Sequence, residues 1–327
     1  MEKIFLTGAT GYIGSKIAVK AAFLGHTVHA LVRNPAKNNI PRHPNIKPFP
    51  GNILDPESIL RAMDGCSIVM HTAAMTKLVS KKPDEIFEVN VEGTRNLLNA
   101  SINTGISRFI FTSSCAVMGN SLEVPLSEDA PRIIPFENDY EISKYWAEEL
   151  VKEYHAEGLF TITLAPPIVF GYGNDCSGNA LSKIIRMGIK QHFLFIPAGN
   201  IEGNFAFVED VVNGHILAID HGNSGEKYIL GGANLSYKTF FSSIGKFSNG
   251  RIRLIPVSKS LLTVISWMNK NFKDIIGQQT HFTPTAVRRV FKKRLLSSKK
   301  AMNELHYTIT PFDEAIAETV NHLKNSL

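Results

Sequence analysis

Apolar runs and helix-patterned stretches alternate along the first half of the chain. "KIFLT" (3–7) is a short apolar strand, and "SKIAVKAAFLG" (15–25) after it is helical. "HTVHALV" (26–32) reads as the next strand. "NIKPFPGNILD" (45–55) is a strand leading into a helix from about Pro56 to Met63. "CSIVMHTAA" (66–74) is a buried strand ending in small residues, a long helix spans about 84–104, and "SRFIFTSS" (107–114) is a further strand. Strand and helix in alternation imply a parallel sheet covered on both faces, with right-handed crossovers. A ligand then lies beyond the carboxyl ends of the strands.

The first of those strand ends carries Gly8, Gly11 and Gly14 in "TGATGYIG". Glycines there let the backbone turn tightly and approach a pyrophosphate, which then sits on the N-terminus of the following helix. A tight turn without a ligand is the plainer explanation, but strand, glycines and helix stand in the order a dinucleotide site requires. The expected fold is therefore α/β: a doubly wound parallel sheet (Rossmann) with a smaller C-terminal α/β substrate lobe. In NAD sites an acid about 20 residues on binds the ribose 2′-hydroxyl. Here Val32 ends the second strand and Arg33 follows it. An uncharged residue removes repulsion of a 2′-phosphate, and a guanidinium can grip it bidentately. NADP(H) is favoured, and NAD(H) stays open.

Composition changes this picture little. The 327 residues are 44% hydrophobic and 20% charged, ordinary for a globular protein. No leader-like segment precedes "KIFLTGATG", and the run "LLTVISWM" (261–268) is too short to span a bilayer. It reads as a helix packed in the smaller lobe, with an interfacial contact as the alternative. Cys66, Cys115 and Cys176 are odd in number and lack metal-ligand spacing, so neither disulfides nor a metal are expected and the location expected is cytoplasmic. Much of the positive charge lies in "RRVFKKRLLSSKK" (288–300). Without a nucleic-acid motif it reads as a solvated basic surface, not a nucleic-acid patch.

In "NDYEISKYWAEELV" (138–151), Tyr140 and Lys144 stand four residues apart on one face of a helix. Taken alone, this is a solvated pair on an amphipathic helix. Its meaning depends on what surrounds it.

TGATGYIG (7–14), HTAA (71–74), NVEGTRNLL (90–98), TSSCAVMG (112–119), YEISK (140–144) and PPIVFG (166–171) occur in this order. Together they resemble the extended short-chain dehydrogenase/reductases, the NAD-dependent epimerase/dehydratase family among them, and within it the dihydroflavonol-4-reductase-like proteins. "HALVRNP" also looks like that subgroup, and a looser match appears near the C-terminus. The resemblance implies that Tyr140 is the general acid, giving its proton to a carbonyl oxygen. Lys144 would lower the phenol's pKa, about 10 when free, and hold the nicotinamide ribose. Ser114, rather than Ser113, would hydrogen-bond the substrate oxygen; Ser113 is left as a cap or turn residue.

The cofactor contacts that carry over are Gly8, Thr10, Gly11, Tyr12, Ile13 and Gly14 in the loop, with Arg33 for the 2′-phosphate. Asn52 and Ile53 stand in the place of an Asp–hydrophobic pair at the adenine. Thr72, Ala73 and Ala74 keep space for the cofactor backbone, and Pro167, Ile168 and Val169 line the nicotinamide side, with Tyr140 and Lys144. Asn90 is a structural or water-binding partner of the site or a helix N-cap. Asp210 caps or ties a helix rather than doing chemistry.

The domain reading is 1–165 plus about 206–230 for the dinucleotide, and 166–205 with 231–327 for the substrate. The leading activity is carbonyl reduction on a small, partly hydrophobic molecule. Nucleotide-sugar epimerisation or dehydration is the alternative, and a cofactor-binding protein without turnover is disfavoured by Ser114, Tyr140 and Lys144. Nucleotide-sugar members carry an arginine where this chain has Gly203, and a histidine where it has Phe207. Phe170, Tyr172, Phe193, Phe195 and Phe205 could furnish an aromatic wall instead of a diphosphate site, while Arg186 and Lys190 could supply the missing charge. A homodimer stays open.

Overall fold

The structure, a computed structural model, describes residues 1–36, 39–76, 83–173, 179–248, 250, 252–275 and 283–325. Cys176 lies outside them. The chain opens with β1 (Lys3–Thr7), α1 (Tyr12–Phe23), β2 (Thr27–Val32) and β3 (Ile46–Pro50). Then come α2 (Pro56–Met63), β4 (Ile68–His71), α3 (Pro83–Phe87) and α4 (Gly93–Thr104), the last two joined by a π-helical turn over Glu88–Glu92. β5 (Arg108–Thr112), α5 (Asp139–Ala156), β6 (Thr161–Ala165), β7 (Ile168–Phe170) and α6 (Ala180–Gln191) follow. Next are β8 (Phe193–Pro197), β9 (Glu202–Phe207), α7 (Val208–His221), β10 (Lys227–Ile229) and β11 (Ala233–Ser236). The chain ends with α8 (Tyr237–Phe247), β12 (Arg253–Val257), α9 (Lys259–Ile275), α10 (Pro284–Val290), α11 (Lys299–Glu304) and α12 (Phe312–Lys324).

Seven strands pair side by side in the order β3-β2-β1-β4-β5-β6-β10, every pair parallel. The expected doubly wound sheet is present, and β1, β4 and β5 are buried along almost their whole length because helices cover both faces. Elements read from the pattern fall where local chemistry fixes them. Asp55 accepts from the Glu57 N–H and Pro56 occupies the first turn, so α2 starts as expected. Asn138 caps α5 by accepting from the Glu141 N–H at 3.0 Å. α1 begins three residues earlier than its composition suggests, at Tyr12, directly on the glycine loop.

Two small sheets make the remainder. β7 pairs parallel and β11 antiparallel with β9, and β8 pairs parallel with β12. The C-terminal segment then returns to the large sheet's loops. The Leu126 N–H donates to Leu295 O and the Ser297 N–H to Leu126 O, both at 2.9 Å. Asn234 holds both peptide groups of Leu296, at 3.0 and 3.1 Å.

Candidate active site

Three side chains meet beyond the carboxyl end of β5. Ser114 caps the 3₁₀ turn Cys115–Met118, its Oγ accepting from the Ala116 N–H at 3.2 Å. That leaves its proton for the Tyr140 phenol, with which it is hydrogen-bonded. Tyr140, on the first turn of α5, packs against Ile86 and Ala116 and is 9% exposed. Burial raises its pKa, and Ser114 first and Arg289 second oppose the rise. Lys144 lies one turn on, 2% exposed, with Nζ donating to Thr112 O at 2.7 Å and resting 4.0 Å above the Phe111 ring. Burial brings it down to about 7, against a small pull from Glu148. Burial is the largest influence on the Tyr140 phenol, and Lys144, turned to the Thr112 carbonyl, is not among the groups that act on it.

Ser113 faces the other way. Its hydroxyl donates to the buried Glu148 carboxylate, which also pairs with Lys227 at 2.8 Å. Asn90 is not an N-cap. Its amide accepts from the Met75 N–H at 2.7 Å and donates to Met75 O and to Ser143 Oγ, whose own hydroxyl reaches Tyr140 O. It therefore splices the β4 end to the turn of α5 that carries Tyr140. His71, a residue the pattern did not single out, lies beneath, between Thr7 Oγ1 at 2.8 Å and Thr94 Oγ1 at 3.0 Å. Burial drives its imidazole down to about 3, so it is neutral and structural.

The glycine loop forms a cradle. Gly8 has φ +80, and a Cβ there would stand 2.4 Å from Thr72 Oγ1. One on Gly14 would stand 2.3 Å from Gly8 O. Gly11, the N-cap of α1, supplies no side chain to the first N–H groups, and the first turn carries no acid. An uncapped N-terminus with positive dipole suits a pyrophosphate, so these residues fit a dinucleotide. Thr10 and Ile13 are half-buried on this loop and Tyr12 is buried. Thr72 Oγ1 donates to Thr7 O at 2.7 Å, while Ala73 and Ala74 stay partly open. Val32 is buried and Arg33 exposed at the end of β2. Asn52 is exposed and spends one acceptor on the Leu54 N–H at 3.2 Å. Ile53 is 8% exposed and packed mostly into the core, which leaves it a small edge for a ligand. Pro167, Ile168 and Val169 are half-buried, the last two on β7 at the edge of its sheet.

The substrate side departs from expectation. Phe170 and Phe205 are each 1% exposed and pack with Phe240 in the core. Phe193 and Phe195 sit on the outer face of β8, and Tyr172 stacks on His322. They form no wall beside Tyr140. Arg186 and Lys190 line a separate groove on α6 with Lys183, Met187 and Gln191. Cationic charge comes instead from two residues of the 288–300 run that the sequence suggests is a solvated surface. Arg289 on α10 acts on Tyr140, Tyr237 and Arg294. Arg294 donates from Nε to Gly119 O at 2.7 Å, and burial together with Arg289 lowers it to about 10. Neither arginine has a carboxylate in ion-pair contact among the described residues. Asp210 accepts from the Thr310 N–H and hydroxyl and ties α7 to the C-terminal segment.

The NAD dependent epimerase/dehydratase family matches residues 4–231. The chain is 27% identical over 336 residues to the 3-beta-hydroxysteroid dehydrogenase of Mycolicibacterium neoaurum, covering 97% of this chain and 90% of that one. A Synechocystis protein provisionally named a dihydroflavonol 4-reductase is 26% identical over 328 residues, 98% of this chain and 94% of that one. Among solved structures, the Thermus thermophilus UDP-glucose 4-epimerase in complex with NAD shares the fold: TM-score 0.80, 22% identity, 99% of this chain and 100% of that one.

Proposed function

The chain belongs to the NAD-dependent epimerase/dehydratase family, among the extended short-chain dehydrogenase/reductases, and from that premise we propose an NADP(H)-dependent reductase of a ketone or aldehyde on a small, partly hydrophobic molecule. As a member it is an NAD(P)-dependent oxidoreductase by kinship. The finer reading rests on one observation: a buried Tyr140 phenol in hydrogen-bonding contact with Ser114, one helical turn from buried Lys144.

When bound, the nicotinamide supplies the hydride. Tyr140, kept protonated by burial, donates its proton to the carbonyl oxygen, and Ser114 donates a hydrogen bond to the same oxygen as charge develops. Lys144 meets the ribose hydroxyls, and the uncapped start of α1 takes the pyrophosphate. Arg33, beside uncharged Val32, takes a 2′-phosphate. The cleft lies between a dinucleotide lobe (1–165 with about 206–230) and a substrate lobe (166–205 with 231–327), a boundary that falls inside β9. Two buried free thiols, Cys66 and Cys115, suit a cytoplasmic location.

A second reading has support of its own. The site has two cations, Arg289 and Arg294, despite Gly203, and these fit an anionic substrate group such as the diphosphate of a nucleotide sugar. A screen of ketones and aldehydes following NADPH absorbance, run beside calorimetry on UDP- and GDP-sugars, separates the two. Stoichiometric NADPH oxidation that Tyr140→Phe abolishes supports the reductase. Micromolar binding of a nucleotide sugar with appearance of its epimer or keto product overturns it.

A further inference from the structure

α9 turns its apolar face outward. Leu261, Val264, Ile265 and Met268 recur at the spacing of one helix face, yet they are 43–60% exposed, with Trp267 at 58% beside them. Among its described side chains, the one this helix buries completely is Ser266, whose hydroxyl donates to Thr263 O at 2.8 Å. Helices in globular proteins ordinarily gain stability by burying such a stripe. Here the expectation of a helix packed in the lobe is corrected: α9 touches α10 and leaves the stripe to its surroundings. A contiguous exposed apolar patch of this kind marks an interaction site.

Charge identifies the occupant. Residues 251–300 carry twelve Lys and Arg and one acid, Asp274, although the whole chain is only +6, so the rest of it is net acidic. Lys292, Lys293 and Lys300 are spent on Glu137, Glu202 and Glu226, and Arg289 and Arg294 serve the cleft. Lys259 on α9 and Arg288 on α10, which packs against it, remain exposed without a carboxylate partner among the described residues. A second copy docking by two-fold symmetry would set this basic surroundings against itself. An anionic lipid surface complements both features at once, apolar stripe and basic flanks.

We propose that α9 docks the protein on an anionic phospholipid bilayer, with Leu261, Val264, Ile265, Trp267 and Met268 entering the acyl boundary and Lys259 at the phosphate level. The helix lies on the membrane and does not cross it, since no described helix is long and apolar enough to span one. α9 packs on α10, which carries Arg289 toward Tyr140, so docking sets the cleft beside the bilayer. Delivery of a lipid-dissolved substrate from there rests on the reductase reading; the docking itself does not.

Flotation with phosphatidylcholine vesicles, with and without phosphatidylglycerol, tests it on the full chain. Bound protein should rise at least tenfold with the anionic lipid and fall as salt is added. In a Trp146→Phe background the remaining Trp267 emission should shift to the blue on binding. Val264→Glu with Met268→Glu should cut binding at least tenfold while NADPH affinity and thermal melting hold. Lys259→Glu, which touches no packing, should weaken binding several-fold even if the double variant unfolds. The proposal is overturned by absence of binding to anionic vesicles at low salt, by binding that neither variant changes, or by a dimer that the double variant dissolves in a protein with no vesicle affinity.

Discussion

Tyr140 and Lys144 share one face of α5 but stand in different electrical surroundings. The phenol keeps its proton because burial raises its pKa. Tyr140→Phe preserves the ring's packing on Ile86 and Ala116 and removes the acid, so turnover should fall about 10²–10⁴-fold with NADPH affinity unchanged. Nearly full activity in that variant would refute the role. Lys144, lowered to about 7, should be linked to cofactor binding. If the ammonium holds the ribose hydroxyls, binding raises its pKa, protons are taken up, and NADPH affinity falls as pH rises through about 7. Calorimetry in buffers of different ionisation enthalpy measures that uptake, which Lys144→Met should erase. Arg33→Ala should weaken NADPH by roughly 1–3 kcal/mol and leave NADH almost untouched, read by fluorescence titration.

The β1–α1 turn shows why two of its glycines differ from the third. A methyl on Gly14 meets Gly8 O at 2.3 Å, while one on Gly11 meets the same oxygen at 3.1 Å. Gly14→Ala should therefore lower the melting temperature more than Gly11→Ala. Equal melts would mean the backbone yields there. Such turns, together with α2 and the start of α5, were legible because a cap, a proline or a glycine fixes them locally. The π-helical turn at Glu88–Glu92 was not, since its cause is tertiary: Asn90 has to reach Met75 and Ser143 at once. The helix of α9 was readable from its apolar run, but such a run says nothing of what covers it. Arg289 and Arg294 read as part of a solvated basic run for a related reason. They lie about 150 residues from Tyr140, and only the returning C-terminal segment brings them to it.

At the scale of the whole molecule, that returning segment ties the loops beyond β5 to the small sheet that contains β11. Asn234 clasps both peptide groups of Leu296, two residues after the arginine that holds Gly119. Asn234→Ala should cost about 1 kcal/mol for each hydrogen bond lost. By loosening Arg294 it should raise KM for the carbonyl substrate while NADPH affinity stays unchanged. A matching loss of NADPH affinity would show that Arg294 does not act on the carbonyl substrate alone.

The distance along the chain between Arg294 and Gly119, 175 residues, also sets an order of assembly. Synthesis from the N-terminus produces the glycine cradle, Tyr140 and Lys144 about 150 residues before Arg294, and domains fold as they emerge. The strut under the loop that follows Ser114 arrives only after them. Gly119 thus waits for its side-chain partner until 175 further residues have been added, and the two sides of the candidate site are made in sequence.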